Sequence, residues 1–561
     1  MKITGPDTTS SSSPAASRQP QRASSRWVVT RTVLAWGLLI LVLALGLWGQ
    51  AQSGTVTSGV RRTMGARSLI SDLRLQLDSV LQRSKLPTLY LNIEFKDTQR
   101  LRTDRQGIEL TGVHVPTPND VVTATVRLGD DTIPVQIRLP AGEYLGAQAG
   151  QWAFEITTQD KRGVLGWRHL LLYNAASHQA LSQWGLSESL RREGILAAPV
   201  QAVSVVLNGD ALGLYGAWAA PGPDLSAESL VYFDQTLYWQ DLQRQRGSGP
   251  APLSVHLSDC QVATVAMLNV PVTGTSASGQ AVLQPLRDLQ LGQRAPADSI
   301  ASNRGRRASD VLDVERMGTL LALGTLWQGA PINDWTHLAF HLNPTTARLE
   351  PVGLADLISS PGDGELRWPV CFDDPILQSA YIRAMERVSR PEYLQQLQTA
   401  LGNSFQQMQL AWDASDPTWD ELAARQKRMA RWLEPTQTVL ATWAMPQAAP
   451  RPDTTLQVSL SNLQHVPVEV LGFDVGKSTF LPPDPAWIQD SAGLTVTTTT
   501  GALVLRAADE GRLRTLRLNV LYNLVFTAGR AHDEPVEMRV VTRLWGLTRQ
   551  QSAPMRQERG E

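Results

Sequence analysis

The chain has 561 residues, 42% of them apolar and 18% charged, with 51 basic side chains against 52 acidic ones. The net charge of −1 excludes a dedicated nucleic-acid binder, which carries a basic surplus, and a disordered polyelectrolyte. Two cysteines exclude a disulfide scaffold and any cysteine-rich metal module. At about 150 residues per domain, the length predicts three or four structural units. Lysine occurs only at Lys2, Lys85, Lys96, Lys161, Lys427 and Lys477, which limits any lysine-dependent mechanism.

The first 32 residues are basic and rich in Ser, Pro and Ala, and read as a disordered tail. Val33–Trp48 is an uninterrupted apolar or glycine run, and no charge falls between Arg31 and Arg61. Taken as 33–50, this segment reads as a transmembrane anchor with tryptophans at its borders. The basic flank predicts a cytoplasmic N-terminus and an extracytoplasmic body at the cell membrane. A cleaved signal peptide and a buried helix are the alternatives. In the oxidising compartment that an anchor implies, Cys260 and Cys371 either pair or remain two buried thiols.

Residues 51–86 predict a helical stalk, with Leu69, Leu73, Leu77, Val80 and Leu81 at helical spacing. From 87 to 239 the pattern is mostly period two and predicts a β-rich lobe. Its expected strands lie at 89–95, 121–128, 133–139 and 152–157. Asn208-Gly209-Asp210 predicts a hairpin turn with positive φ, and Gly194 predicts the stop of a helix over 178–193. Residues 240–445 predict a helical lobe, with helices over 311–327, 375–387, 390–401 and 415–434. Strands at sandwich-like spacing follow over 446–545, and 546–561 reads as a polar tail. Trp152, Trp167 and Trp184 sit in apolar patterns and are expected in the core.

The motif scan finds no H-E-x-x-H, C-x-x-C or G-x-S-x-G. Gly472 lies one residue too near Gly476-Lys477-Ser478 for a phosphate loop. His337 and His341 stand at i, i+4, a spacing that suits a metal only on a helix, whereas Asn343-Pro344 predicts strand or turn.

An ordered set of segments carries a resemblance. These are Leu86-Pro87-Thr88-Leu89-Tyr90-Leu91, Ile133-Pro134-Val135-Gln136-Ile137-Arg138-Leu139, Gln151-Trp152-Ala153-Phe154-Glu155-Ile156, Val205 through Tyr215, and Leu349-Glu350-Pro351-Val352-Gly353. Together with 374–394 and 465–473, they resemble the CotH kinase family, the spore-coat-type atypical protein kinases. The resemblance implies an α+β protein. It has an atypical kinase-like two-lobe domain, β-rich then helical, followed by a β-sandwich and preceded by the transmembrane helix. It also implies ATP with Mg or Mn, and phosphorylation of exported proteins on Ser or Thr.

Phosphoryl transfer needs a cation on the nucleotide phosphates, oxygens on the metal and a carboxylate at the acceptor hydroxyl. Among the basic side chains that the β lobe retains, Arg138 and Lys161 are the candidates for the phosphates. The resemblance assigns Asp334 as the candidate catalytic carboxylate, and Asp356 and His337 as candidate metal ligands. The sequence departs from the family at several such places. Pro140 and Glu155 stand where basic residues are expected. A carboxylate about 4 Å from a phosphate charge opposes binding by about 4 kcal/mol at an effective dielectric near 20. The neutral run Gly216-Ala217-Trp218-Ala219-Ala220 replaces acidic residues, and Asp356 is one position late. The sequence therefore predicts a divergent or pseudokinase-type binding and assembly module of the cell envelope. Its partners would be the membrane and an extracytoplasmic protein or envelope component. An active kinase and a purely structural envelope protein are the alternatives.

Overall fold

The computed structural model describes residues 85–558. Excepted are 144–150, 176–178, 221–229, 234–267, 270–307, 329–338, 355–373, 415–416, 445–454, 477–478, 491–493, 498–501, 506–514, 522–536 and the single positions 112, 115, 141, 344 and 465. By its contacts the chain divides into Met1–Gln76 and Leu77–Glu561, and every described residue lies in the second unit. The expected anchor at 33–50, most of the stalk, Cys260 and Cys371 lie outside the described residues. No helix among the described residues is long and apolar enough to cross a membrane.

The N-terminal strands are β1 (Thr88–Ile93), β2 (Val113–His114), β3 (Val122–Leu128), β4 (Asp131–Arg138), β5 (Gly142–Glu143), β6 (Phe154–Thr157), β7 (His169–Asn174), β8 (Val200–Leu207) and β9 (Asp210–Ala219). Seven of them form a closed barrel in the order β1-β3-β4-β6-β7-β9-β8. This corrects the expectation of a kinase-like β lobe beside a separate helical lobe. Closure comes from β1, whose alternation puts Leu89 and Leu91 on one face, where they meet Val205 and Leu207 of β8 in parallel register. Val126, Ile137, Phe154, Ile156, Leu170, Leu172 and Val203 are fully buried and fill the interior, so the barrel is a packed core with no strand edge.

Turn chemistry sets the register. Asn208 and Gly209 both have positive φ (51° and 95°), the conformation of a type I′ turn, and Leu207 pairs with Asp210 across it. Asn208 also ties the hairpin to the end of β1. Its Oδ1 accepts from the Ile93 N–H at 2.8 Å, and its Nδ2 donates to Thr98 Oγ1 at 3.0 Å. Thr98 belongs to α1 (Phe95–Thr111), which the sequence pattern did not predict. Leu101 and Ile108 are its buried apolar side chains, too few to mark an apolar face in a charged segment.

Helix α2 (Ala180–Arg192) packs on the barrel and ends as expected at Gly194, whose φ is 73°. Beyond it, a sheet of β10 (Leu230–Phe233), β11 (Leu268–Asn269), β12 (Ala339–Asn343) and β13 (Arg348–Val352) runs in the order β11-β10-β12-β13. The helices that follow are α3 (Ala308–Val311), α4 (Val314–Gln328), α5 (Pro375–Val388), α6 (Pro391–Trp412) and α7 (Trp419–Trp432). The expected helix over 311–327 is split between α3 and α4 by Leu312 and Asp313. Barrel, helices and C-terminal strands share one contiguous apolar core, so the helices do not form a lobe of their own. Trp152 and Trp184 are buried in it, and Trp167 packs partly buried against it.

Helix joining depends on one carboxylate. Asp374 is 2% exposed, and its Oδ1 accepts from the Ile376 N–H at 2.8 Å, capping α5. Its Oδ2 accepts from the Ser309 N–H of α3 at 2.7 Å. Asp374→Ala removes both acceptors and leaves the buried Ser309 N–H and the part-buried Ile376 N–H unmet. The expected loss is about 2 kcal/mol, read as a lower urea midpoint with an unchanged slope.

The C-terminal strands form two sheets. One comprises β18 (Ile488–Asp490), β21 (Thr515–Leu521), β15 (Thr455–Asn462), β14 (Val439–Ala444) and β24 (Arg556–Gln557), in that order. The other comprises β19 (Leu494–Thr497), β20 (Ala502–Leu505), β16 (Val468–Val475), β22 (Met538–Leu544) and β23 (Gln551–Pro554), with β17 (Thr479–Leu481) also pairing β16. The segment expected as a polar tail thus supplies a strand to each sheet. The Trp545 indole donates to the Pro375 carbonyl at the start of α5, which seats these strands against the helices.

Candidate functional site on the barrel wall

Alternation along β4 points Ile133, Val135 and Ile137 into the barrel and Arg138 outward. Arg138 pairs with Glu155 across β4 and β6, and Thr157 pairs with His169 across β6 and β7. Three polar side chains therefore share the outer wall over adjacent strands. Arg138 grips Glu155 with two parallel hydrogen bonds, Nε to Oε2 at 2.8 Å and Nη2 to Oε1 at 2.7 Å. His169 Nε2 lies 2.9 Å from Glu155 Oε1. A carboxylate can only accept here, so Nε2 carries the proton.

Glu155 is 9% exposed. Burial alone would push its carboxyl up. The hydrogen bonds from His169 and Arg138, with the charges behind them, overcome burial and hold it at about 2. The folded value lies below the ordinary 4.5, so ionised Glu155 stabilises the fold above about pH 4.5. That contribution, about 3 kcal/mol, is lost as pH falls from about 4.5 toward about 2. Urea denaturation at a series of acid pH values should show this slope in the native chain and a shallower one in Glu155→Gln.

The sequence candidates do not gather around this row. Arg138 is on it, engaged by Glu155. Lys161 is exposed in a turn between β6 and β7, beside Asp160 and Arg162, which bond each other. Asp334, His337 and Asp356 lie outside the described residues. Among the described residues, no cluster of three or more His, Cys, Asp or Glu side chains could hold a metal ion. The neutral run after the hairpin is part of the core: Ala217, Trp218, Ala219 and Ala220 are each at most 1% exposed. Buried apolar side chains at these positions supply no oxygen to a metal.

No family model matches the chain, and no curated protein matches it. The site is therefore read from its own chemistry. A buried, ionised glutamate with an arginine on one side and a histidine on the other is a neutralised assembly. Sequence reasoning named Arg138 and noted Glu155 as an opposing charge, but did not join them. The signal was their opposite signs at outward-facing positions of neighbouring strands, usable only once the register is known. His169 was missed because a lone histidine at a strand start carries no pattern.

Proposed function

We propose that the protein is a non-catalytic binding and assembly module of the cell envelope, anchored by 33–50 with its body outside the cytoplasm. On this reading, the segment order shared with the CotH family is ancestry without the phosphotransfer chemistry. The observation that carries it is the pairing of Arg138 with Glu155. The cation assigned to nucleotide phosphate is held bidentately by a carboxylate that is itself ionised and buried. A phosphate approaching Arg138 would have to displace Glu155, leaving a buried charge without its strongest partner. The apolar burial of 217–220 supports the same reading, since acidic metal ligands have no place there.

Calorimetry on the full chain in a membrane mimetic, with ATP and either Mg²⁺ or Mn²⁺, tests it. No heat of binding is expected at about millimolar nucleotide. Metal-dependent binding that is lost in Arg138→Ala would overturn the reading and return the chain to the active kinases. The orientation is checked separately by a periplasm- or exterior-dependent reporter fused after Glu561, which is expected to be active.

A further inference from the structure

Helix α7 turns one side to the core and the other to solvent. Leu422, Gln426 and Met429 are buried along one side, at i, i+4 and i+7. Two side chains fix its seat. Gln426 Nε2 donates to the carbonyls of Val388 at 2.8 Å and Arg390 at 2.7 Å, and the Arg425 guanidinium donates to the Trp327 carbonyl. At the N-terminus, Glu421 Oε2 accepts from the Thr418 N–H at 2.7 Å, and the Thr418 hydroxyl accepts from the Glu421 N–H at 3.2 Å. The rotation of the helix is therefore set, and Ala424, Lys427, Arg428 and Arg431 are exposed on its outer side.

The three cations of this stripe have no counter-charge. Among the described residues, none of their side chains forms a hydrogen bond or an ion pair. A carboxylate four residues earlier on the helix would pair with each of them. Those positions hold Ala423, Ala424 and Lys427. Glu434, three residues after Arg431, is engaged by Arg549, and Glu421 by the cap. Asp420 lies seven residues before Lys427. Lys427 and Arg428 each stand one turn from Arg431, so like charges oppose one another along the helix. The negative end of the helix dipole answers Arg431 alone, the one cation of the three in the last turn. Trp432, half-buried and one turn after Arg428, sets an amphipathic ring at the edge of the stripe. Cations in a row on a convex helix suit an extended anionic surface better than a single small anion, which needs groups that converge on a point.

We propose that α7 is a second membrane contact, in which Lys427, Arg428 and Arg431 lie against the anionic headgroups of a phospholipid bilayer. The inference rests on the anchored reading for the choice of partner. On that reading the apolar run at 33–50 keeps a bilayer near the body, so lipid is the anionic surface at the highest local concentration. Each cation close to such a surface contributes about fivefold in affinity, roughly a hundredfold for the three.

Lys427 is the lysine of the stripe and serves as its reporter. Single-hit acetylation of the full chain, read by peptide mass spectrometry, compares nanodiscs of phosphatidylcholine with discs that also contain phosphatidylglycerol. Lys161, exposed in its turn on the barrel, is the internal reference. In the anionic discs, acetylation of Lys427 is expected to slow about fivefold or more relative to Lys161. Sodium chloride at about 0.5 M is expected to abolish the difference. Arg428→Gln combined with Arg431→Gln keeps Lys427 and the helix propensity, and is expected to remove most of the slowing. Equal Lys427 rates in the two discs, or slowing that survives both the salt and the double variant, would overturn the proposal. So would soluble polyglutamate that slows Lys427 in neutral discs as much as the anionic lipid does, which would assign the stripe to an acidic polypeptide. If the double variant fails to fold, the lipid and salt series on the native chain decides. The anchored reading fails by a different sign, the absence of the full chain from floated phosphatidylcholine vesicles. The chain then meets the discs from solution, and the same ratio of Lys427 to Lys161 decides the role of the stripe.

Discussion

Replacing Glu155 with alanine is expected to destabilise the fold by about 3–5 kcal/mol, more than any other single change on the barrel wall. The mutation leaves Arg138 and His169 side by side with the carboxylate between them gone. Both lose a short charge-assisted bond, at 2.7–2.8 Å for Arg138 and 2.9 Å for His169. It also opens a gap over β6 between two strands that this side chain links. Arg138→Ala should cost less, because His169 still bonds the carboxylate. The double variant Arg138→Ala, Glu155→Ala should lose less than the sum of the singles. That non-additivity, read from urea midpoints, identifies the pair as a unit. Additive losses would show the bidentate contact to be inconsequential.

A comparable loss, about 3 kcal/mol, is expected for Gly318→Val in the middle of α4. A Cβ at this position would lie 2.7 Å from the Ala380 carbonyl carbon and 2.8 Å from the Tyr381 nitrogen. Both are backbone atoms of α5 and cannot rotate away, so the two helices must separate. Separation also breaks the contact between the Thr325 hydroxyl and the buried Tyr381 hydroxyl, 3.2 Å apart. Gly402 on α6 is the control. A Cβ there meets nothing within 4 Å. Gly402→Ala should therefore raise stability by about 0.5–1 kcal/mol, through helix propensity alone. Thermal melts of the two variants should move in opposite directions.

The parts of this fold that were legible in the sequence are those decided over a few residues. Asn208-Gly209 announced its turn because two successive positive φ angles exclude most other residue pairs. Gly194 stopped α2 for the same reason. Among the strands of the C-terminal sheets, β15 was legible because its first residues alternate between buried and more exposed positions. What was not legible depends on partners far apart. Closure of the barrel rests on Leu89 and Leu91 meeting Val205 and Leu207, more than a hundred positions away, and no local pattern encodes that choice. Helix α1 was invisible because Thr98 is fixed by Asn208 rather than by an apolar stripe. The wall cluster failed to appear for a related reason. Arg138 and Glu155 were read as opposed features of a phosphate site, when the sheet register makes each the other's partner. Asp334 and Asp356 were placed by family analogy, and His337 by that analogy and its spacing from His341, neither of which assigns geometry.

The strands after Gly546 carry a consequence for how the chain is made. β23 hydrogen-bonds to β22, and β24 runs parallel to β14, with Thr442 opposite Arg556 and Trp443 opposite Gln557. The barrel can close once β9 has left the ribosome, because all seven of its strands precede Ala220. The second β unit has no such independence: β14 is made early and waits for a neighbour more than a hundred residues downstream. At about 5–20 residues per second, that interval lasts from several seconds to tens of seconds. During it, one edge of β14 is an open template for pairing with other chains. Maturation of this protein is therefore vectorial, with an early barrel and a β unit completed last. Premature termination a few residues before Arg556 would yield a chain with a finished barrel and a sheet edge prone to self-association.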